Sequence, residues 1–479
     1  MSPWRPAAAT MGAMTVIPDR LRPLLAPDAP LQELARRFVA AGHEIYLVGG
    51  SVRDALLGER PNDLDLTTSA RPDEIQALVD GWAEHVWLQG KAYGTIGCSR
   101  GDLRLEITTF RAEVYRPESR KPAVTFADDV RTDLSRRDFT VNAMAISLPE
   151  PALVDPFDGL ADLLVHRRLR TPLDPETSFL DDPLRMLRAA RFIATLGLEP
   201  EPALTAAVVA LAGRLEIVSP ERIRDELSKL LVAPDPSAGL WFLVRTGLAD
   251  EFLPELPALA LEQDPIHQHK DVLAHTIAVV AKTRPELVVR LAALLHDIGK
   301  PKTRSYGPEG VHFHLHDVVG ARMVEERLRA LRYPKDVIEA VTTLVLLHLR
   351  FHTYRMGWSD RAVRRYVRDA GPLLDQLNHL VRCDCTTRNQ AKARALSRRM
   401  DELERRIAEL AEQEELSSIR PPLDGHRVME LLGVGPSRVV GEALDMLLEA
   451  RLDEGPIPEE EAERRLLAWA AERGLLPPA

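Results

Sequence analysis

The spacing of apolar residues changes character along the chain. Residues 31–42 (LQELARRFVAAG) repeat apolar positions at helical spacing, whereas 44–50 (EIYLVGG) form a short apolar run that ends in two glycines. Segments 62–68 (NDLDLTT) and 103–111 (LRLEITTFR) alternate apolar and polar residues. We therefore predict a helix followed by three strands, with a short helix over 51–58 after the first strand.

From about residue 180 onward, strand patterns nearly vanish and apolar residues recur with a period near 3.6. The clearest helical segments are DPLRMLRAARFIATLG, ERIRDELSKLL, VVRLAALLHDIG and ARMVEERLRALR. The pattern predicts an α+β multidomain protein, in which a small mixed-sheet head precedes regions that are all helical.

Composition fits an ordinary globular chain and leaves this picture unchanged. Of the 479 residues, 45% are hydrophobic and 28% are charged, and the net charge is −10. These values exclude a disordered tail protein and argue against a chain that coats nucleic acid by bulk charge. A local basic surface stays compatible with them, because 53 of the 62 basic residues are arginine, which binds phosphate bidentately.

The three cysteines, Cys98, Cys383 and Cys385, are too few for a disulfide framework. We expect a reducing, cytoplasmic location. No run of about 18 apolar residues occurs, so neither a membrane span nor membrane association is expected. Nothing in the sequence indicates an obligate protein partner.

A glycine turn lies between the first predicted strand and the following helix. Gly49 and Gly50 let the backbone approach a phosphate closely, and Arg53 can bind that phosphate with two nitrogens. The spacing differs from the three-glycine dinucleotide fingerprint. We interpret the turn as a candidate phosphate-binding site.

Two aspartates follow on the next predicted strand. Asp63 and Asp65 are two residues apart, so their carboxylates lie on one face, where they repel each other unless a cation is bound. Glu106, on the strand 103–111, is a candidate third carboxylate. Oxygen ligands of this kind suit Mg²⁺, and a two-metal site suits in-line phosphoryl transfer.

Three segments in this order resemble the motifs of the bacterial tRNA nucleotidyltransferase and poly(A) polymerase family, of the class II polymerase-β-like branch. They are LVGGSVRDALLGERPNDLDLTT, SRRDFTVNAMA (135–145) and DDPLRMLRAARF (181–192). The likeness covers about residues 31–240, and its nearest form is the CCA-adding enzyme. The resemblance implies that Gly50 and Arg53 hold the nucleoside triphosphate and that Asp63 and Asp65 hold the metals.

The resemblance also assigns residues to sugar, phosphate and base. It implies that Arg137, Asp138 and Asn142 contact the sugar and phosphates, and that Arg188 reaches the triphosphate. Asp182 and Arg185 would read the base edge, although Asp181 replaces the usual Glu at the start of that motif. An Asp acceptor beside an Arg donor matches cytosine and adenine and mismatches guanine and uracil.

The segment 109–126 fits the family's loop between the metal strand and the ribose motif. We hypothesise that it helps to switch from CTP to ATP, so that replacing Arg116 and Arg120 harms A addition more than C addition.

A second group of residues lies farther along the chain. His296 and Asp297 are adjacent at the end of an apolar helix, and GKPKT follows them. The pair resembles the HD metal-dependent phosphohydrolase superfamily, whose pattern would be completed by His275 and Asp384. The resemblance further implies ligands at His316 and His348 in members with two metals. Histidine with carboxylate suits Mn, Fe, Ni or Zn.

Basic residues are dense over 382–406. They allow contact with tRNA phosphates or, alternatively, internal pairing with acidic residues such as Glu402, Glu404 and Glu409. Proline-rich breaks and the resemblance together predict five parts. They are a disordered tail (1–30), a nucleotidyltransferase head (31–175), a helical neck for base recognition and RNA binding (176–260), an HD domain (261–395) and a helical tail (396–479).

The function implied is addition of CCA to tRNA 3′ ends from CTP and ATP without a nucleic-acid template, with phosphohydrolase activity in the HD domain as an addition. The alternatives are a poly(A) polymerase or a partial CC-adding or A-adding enzyme. An alternative of another class is an HD nucleotide phosphohydrolase with a vestigial head.

Overall fold

The computed structural model describes residues 17–59, 63–114, 123–261, 271–307, 310–353, 358–385, 390–414, 416 and 419–475. The chain divides into two compact units, residues up to 230 with 238–251, and residues 231–237 with 252 onward. The five-part division stays a prediction. The proposed roles of Arg116 and Arg120 lie outside the described residues. None of the helices in the described ranges is long and apolar enough to cross a membrane.

The first unit contains the seven-stranded sheet and eleven helices among the described residues, of which the last three each have one terminal residue in the second unit. Its strands are Ile45–Val48 (β1), Asp63–Thr68 (β2), His85–Trp87 (β3), Thr95–Arg100 (β4), Leu103–Thr109 (β5), Arg111–Val114 (β6), Ala123–Phe126 (β7), Ala145–Leu148 (β8), Leu153–Val154 (β9), Arg168–Leu169 (β10) and Glu199–Pro200 (β11). Its helices are Pro30–Ala40 (α1), Gly50–Leu56 (α2), Pro72–Val79 (α3), Val130–Ser135 (α4), Gly159–Leu164 (α5), Pro175–Asp181 (α6), Leu184–Leu196 (α7), Pro202–Leu211 (α8), Pro220–Leu231 (α9), Ser237–Arg245 (α10) and Leu248–Phe252 (α11).

The second unit is mainly helical. Its helices are Val272–Lys282 (α12), Leu287–Leu295 (α13), Lys300–Thr303 (α14), His316–Ala330 (α15), Lys335–Leu347 (α16), Arg350–Thr353 (α17), Asp360–Ala370 (α18), Leu374–Asp384 (α19), Gln390–Gln413 (α20), Gly425–Leu432 (α21), Arg438–Glu454 (α22) and Glu459–Glu472 (α23). It also contains the hairpin of Arg304–Gly307 (β12) and Gly310–Phe313 (β13). The sequence pattern missed this hairpin, because four-residue strands are too short to show a clear alternation.

The head is built on a seven-stranded sheet in the order β3-β4-β5-β2-β1-β8-β9. Strands β2 and β5 pair in parallel, and the other neighbours pair antiparallel. The predicted arrangement of a small mixed-sheet head followed by helical regions is thereby confirmed. Strand β1 runs directly into the glycine turn and α2, as the pattern predicts.

Alternation along β2 and β5 separates the core from the site. Leu64, Leu66, Leu105 and Ile107 are at most 2% exposed and form part of the core. The residues between them point to the opposite face, because successive strand side chains alternate. That face is polar and exposed, so the sheet presents its acidic residues to solvent.

Pro183 interrupts the helical pattern, so that α6 ends at Asp181 and α7 begins at Leu184. Pro183 disfavours the helical region for the residue before it, and Asp182 is accordingly extended, with φ −141° and ψ 98°. Asp182 therefore lies in the junction between α6 and α7. The extended backbone at this junction gives the Asp182 side chain a different direction from the one it would have inside a continuous helix.

The basic segment 382–406 makes internal ion pairs. Arg382 contacts Asp401 and Glu404, with a shortest distance of 2.7 Å to Glu404. Arg405 pairs with Glu402 and Glu409 on the same helix. The pairing with acidic residues is therefore observed for these arginines, and contact with tRNA stays a hypothesis.

Candidate active site

The glycine turn brings the backbone close to two side chains predicted to bind nucleotide. Gly49 has φ +69°, in the left-handed region, and a Cβ there would lie 2.7 Å from the Arg137 guanidinium and 3.9 Å from an Asp65 oxygen. Only glycine meets both conditions without strain. Gly50 then begins α2, on which Arg53 lies one turn later.

A serine fixes α2 to the acidic strand. The Ser51 hydroxyl donates to the Asp63 carbonyl at 3.1 Å and accepts from the Asp65 amide at 3.2 Å. These bonds hold the glycine turn and the two aspartates in one frame. Ser51 could not be identified from the sequence, because its role depends on hydrogen bonds to β2, which lies more than ten residues away along the chain.

Three carboxylates share the exposed face of the sheet. Asp65 is directly opposite Glu106 in the parallel register, and Asp63 is opposite Arg104. Desolvation raises the pKa of Asp65 although the Arg137 guanidinium opposes the shift, and the charges of Glu106 and Asp63 raise it further. A bound divalent cation would relieve this repulsion, so the donor set fits Mg²⁺.

A continuous polar network connects α2 to α7. Arg53 donates to the Asn142 side-chain oxygen at 2.5 Å, and the Asn142 amide donates to Asp138 at 2.9 Å. Arg188 donates to the other Asp138 oxygen from two nitrogens, at 2.8 and 2.5 Å. Although burial alone would raise it, the Arg188 guanidinium and the Asn142 amide lower the pKa of Asp138 to about 2. Four of the predicted nucleotide-binding residues are thus brought together.

The predicted base-reading residues are each held by the protein. Asp182 accepts from the Leu184 amide at 3.2 Å and from Arg222 at 2.9 Å. Arg185 donates to the Ser178 hydroxyl at 2.8 Å and to the Arg136 carbonyl at 2.6 Å. Both side chains are therefore oriented by hydrogen bonds within the protein, as recognition of a base edge requires.

Helix α9 contributes residues to which no functional role was assigned from the sequence. Glu226 is buried and accepts from Arg191 at 2.7 Å, with Arg188 at 3.6 Å, while Arg222 holds Asp182. The spacing of four residues between 222 and 226 places both on one face of α9. The available sequence signal was Glu226 itself, an acidic residue among the buried apolar positions Ile223, Leu227 and Leu230.

The ring of Phe192 lies among three guanidinium groups. Those of Arg53, Arg188 and Arg191 lie 5.1, 5.5 and 4.0 Å from the ring centroid. Phe139 meets the same ring edge-on at 5.6 Å. The aromatic quadrupole offsets part of the repulsion among these like charges.

The second unit collects all six predicted HD ligands. They come from the ends or interiors of α12, α13, α15, α16 and α19: His275, His296, Asp297, His316, His348 and Asp384. His275 lies 2.9 Å from Asp384, and His316 lies 3.4 Å from Asp297. The six residues include two groups of three that could each hold a metal ion, since the ligand atoms within a group all lie within 4.8 Å of one another. One group is His275, His296 and Asp297, and the other is Asp297, His316 and His348.

Backbone carbonyls orient three of these imidazoles. Nδ1 of His296, His316 and His348 each lies 2.6 to 2.8 Å from the carbonyl oxygen three residues earlier. Nδ1 is therefore the donor, so that Nε2 of the neutral imidazole carries the lone pair that faces the cluster. Nε2 of His316 and of His348 are buried and lack a hydrogen-bond partner within the described part of the chain. Such orphaned nitrogens beside carboxylates fit a transition-metal ion.

Comparison with known proteins agrees with this division of sites. The family description "Poly A polymerase head domain" matches residues 45–170, "Probable RNA and SrmB- binding site of polymerase A" matches 197–259, and "HD domain" matches 272–415. The crystal structure of the Bacillus stearothermophilus CCA-adding enzyme in complex with CTP has a similar fold. Its TM-score is 0.69 at 24% identity, covering 96% of this chain and 99% of that one.

Two relatives match nearly the whole chain. The A-adding tRNA nucleotidyltransferase of Deinococcus radiodurans is 37% identical over 89% of this chain and 95% of its own length. The CC-adding tRNA nucleotidyltransferase of Thermus thermophilus is 35% identical over 90% of this chain and 94% of its own. The CCA-adding enzyme of Levilactobacillus brevis is 43% identical over 43% of this chain and 51% of its own. The chain therefore belongs to the tRNA nucleotidyltransferase and poly(A) polymerase family and is a nucleotidyltransferase with an HD domain.

Proposed function

We propose that this enzyme rebuilds the CCA end of tRNA from CTP and ATP, releasing pyrophosphate at each step. The observation that carries the proposal is the carboxylate face of the sheet. Asp65 and Glu106 lie side by side on it, and a Cβ added to Gly49 in the phosphate-binding turn would lie 3.9 Å from an Asp65 oxygen. This proximity of the carboxylates to the glycine turn supports transfer at one phosphorus atom.

The side chains have distinct tasks in this reaction. The turn at Gly49 and Gly50, with Arg53, holds the triphosphate, and Arg137 neutralises charge beside Asp65. Mg²⁺ held by Asp63 and Asp65 would lower the pKa of the attacking hydroxyl and neutralise the leaving pyrophosphate. The tRNA 3′-hydroxyl attacks the α-phosphorus in line, so no covalent bond to the protein forms.

Selection of C and A rests on one pair of side chains. The Asp182 carboxylate accepts from the exocyclic amine of cytosine or adenine, and the Arg185 guanidinium donates to the adjacent ring nitrogen. Guanine and uracil present a carbonyl where the amine would be, and so face the carboxylate with a second acceptor. The resemblance assigns recognition of the ribose to Asn142 and Asp138, and the 2′-hydroxyl is the group that such a site must detect.

The direct test is incorporation of each labelled nucleotide into tRNA trimmed by one, two or three 3′ residues. We expect C to enter the two shorter substrates and A to enter tRNA that ends in CC. Asp65→Asn should abolish incorporation, because it removes a charge that the cation requires. Long A tails without any C would indicate a poly(A) polymerase and refute the proposal.

A partial enzyme is the second candidate, because the two relatives that match nearly the full chain are A-adding and CC-adding. CCA-adding relatives at 38% to 43% identity, in contrast, match less than half of this chain, between 43% and 48% of it. The same assay separates the cases. C entry without any A entry indicates a CC-adding enzyme, and A entry into tRNA ending in CC without any C entry indicates an A-adding enzyme.

For the HD domain we propose a bound transition-metal ion, Mn, Fe, Ni or Zn, and hydrolysis of 2′,3′-cyclic or 3′-phosphates at damaged RNA ends. The two orphaned Nε2 atoms support the metal. Asp297→Asn should lose the metal, measured by elemental analysis, and lose hydrolysis while retaining incorporation. If Asp63→Ala left the enzyme's main activity unchanged and His296→Ala abolished it, the chain would be an HD nucleotide phosphohydrolase with a vestigial head.

A further inference from the structure

The sheet face that carries the carboxylates continues beyond them to a tryptophan. Asp65 is opposite Glu106, Glu106 is opposite Gly97, and Gly97 is opposite Trp87. Directly paired residues point to the same side of a sheet. These four residues therefore form one row across β2, β5, β4 and β3.

The indole of Trp87 extends inward along this row. A Cβ on Gly97 would lie 1.8 Å from the indole Nε1 and 2.2 Å from Cε2. The ring thus occupies the space over β4 that any other residue at position 97 would fill. Because β3 is the edge strand, this orientation directs the ring toward Glu106 and away from the edge of the sheet.

Arg104 lies beside the indole and on a strand next to the one that carries Asp63. The Arg104 guanidinium lies 5.9 Å from the centroid of a Trp87 ring, and Arg104 is opposite Asp63 in the register. Arg104 is exposed and Trp87 is half-buried, whereas Cys98 and Leu105 on the other face are at most 1% exposed. The core therefore occupies the other face, and this one is open to a substrate.

We propose that this row binds the 3′-terminal nucleotide of the acceptor RNA, an inference that rests on the proposed function. The terminal base stacks on Trp87, a backbone phosphate pairs with Arg104, and the 3′-hydroxyl lies above Asp65 and Glu106. Neighbouring strands are about 4.8 Å apart, so β4 is about 10 Å from β2, a span that one nucleotide bridges.

Stacking suits an acceptor site whose terminal base changes after every addition. Every base has an aromatic face, so an aromatic platform accepts all of them, whereas hydrogen bonds to a base edge select one. Aromatic side chains with adjacent arginine are a recurring platform for single-stranded RNA. The row thus separates recognition of the acceptor from selection of the incoming base at Asp182 and Arg185.

The test is a comparison of Trp87→Ala and Trp87→Phe with a control on the same strand. Val86→Ala is matched, since Val86 is 40% exposed and points to the other side of β3. We expect Trp87→Ala to raise the KM for trimmed tRNA about tenfold and to leave the KM for CTP within about twofold. Trp87→Phe should restore most of the loss, and Val86→Ala should match wild type.

A direct probe is tRNA whose 3′-terminal base is 2-aminopurine, which is quenched on stacking. Wild type and Val86→Ala should quench it, and Trp87→Ala should not. Arg104→Gln, a second variant that leaves the ring in place, should raise the KM for tRNA and weaken its salt dependence. Unchanged KM and quenching in Trp87→Ala would overturn the inference, as would a loss of CTP binding that Phe does not restore. Failure of wild type to extend any tRNA would instead contradict the proposed function.

Discussion

Arg188 and Asp138 hold each other through two hydrogen bonds to one carboxylate oxygen, at 2.8 and 2.5 Å. The first lies on α7, and the second lies in the segment that carries Asn142. The resemblance assigns Arg188 to the triphosphate and Asp138 to the sugar and phosphates, so the pair would couple the groups that hold these parts of the nucleotide. Glu226, 3.6 Å from Arg188, is a second carboxylate beside the same guanidinium.

Asp138→Asn should lower the free energy of unfolding by about 2 kcal/mol at pH 7, because the folded pKa of about 2 lies well below the usual value of 3.8. The stabilisation is fully present above about pH 4 and is lost as the pH falls toward 2. Urea unfolding of both proteins between pH 2 and pH 7 measures it. Asp225→Asn is the control, since Asp225 is 55% exposed in its pair with Arg224. A difference between Asp138→Asn and wild type that is constant down to pH 2 would contradict the assignment.

Phe192→Leu should raise the KM for CTP and ATP about fivefold with little change in overall stability beyond that of a control. Leucine keeps an apolar side chain, although a smaller one, and removes the aromatic face that stabilises three guanidinium groups, two of them predicted to bind phosphate. Phe139→Leu is the control, because Phe139 touches the same ring at its edge. Equal effects of the two variants on KM would show that packing alone is involved.

The sequence predicted β1, β2 and β5 of the head, because each carries a distinct apolar pattern and β1 runs into a glycine turn. It also located the carboxylates, since their spacing of two residues determines the face they share. It did not predict that Trp87 shares this face, because β3 is a three-residue strand whose register depends on pairing with β4. The partners of Asp182 were likewise hidden, since Arg222 lies 40 residues away and meets it only through the packing of α9.

Arg222→Ala should raise the KM for CTP and ATP about threefold and leave kcat nearly unchanged. Arg222 donates to one Asp182 oxygen at 2.9 Å, and without it the carboxylate keeps the Leu184 amide as its donor among the hydrogen bonds described for it. The effect is small because the Arg222 side chain is 53% exposed, where solvent screens the pair. Steady-state kinetics with each nucleotide measures it, with Arg224→Ala as the control because Arg224 pairs with Asp225 instead. A rise in the KM for tRNA alone would assign Arg222 to RNA binding.

Glu414→Ala should destabilise the second unit by about 3 kcal/mol, because it leaves two arginines without their buried partner. The Glu414 oxygens accept from Arg364 at 2.8 Å and from Arg451 at 2.6 Å, and the Glu414 side chain is 2% exposed. These bonds join α18 and α22 at the end of α20. Glu442→Ala is the control, because its partner Arg438 is 92% exposed and such pairs contribute at most about 1 kcal/mol. The shift of the urea midpoint for the second unit measures both variants. Equal shifts would mean that solvent reaches Glu414 and that the buried pair does not stabilise this unit.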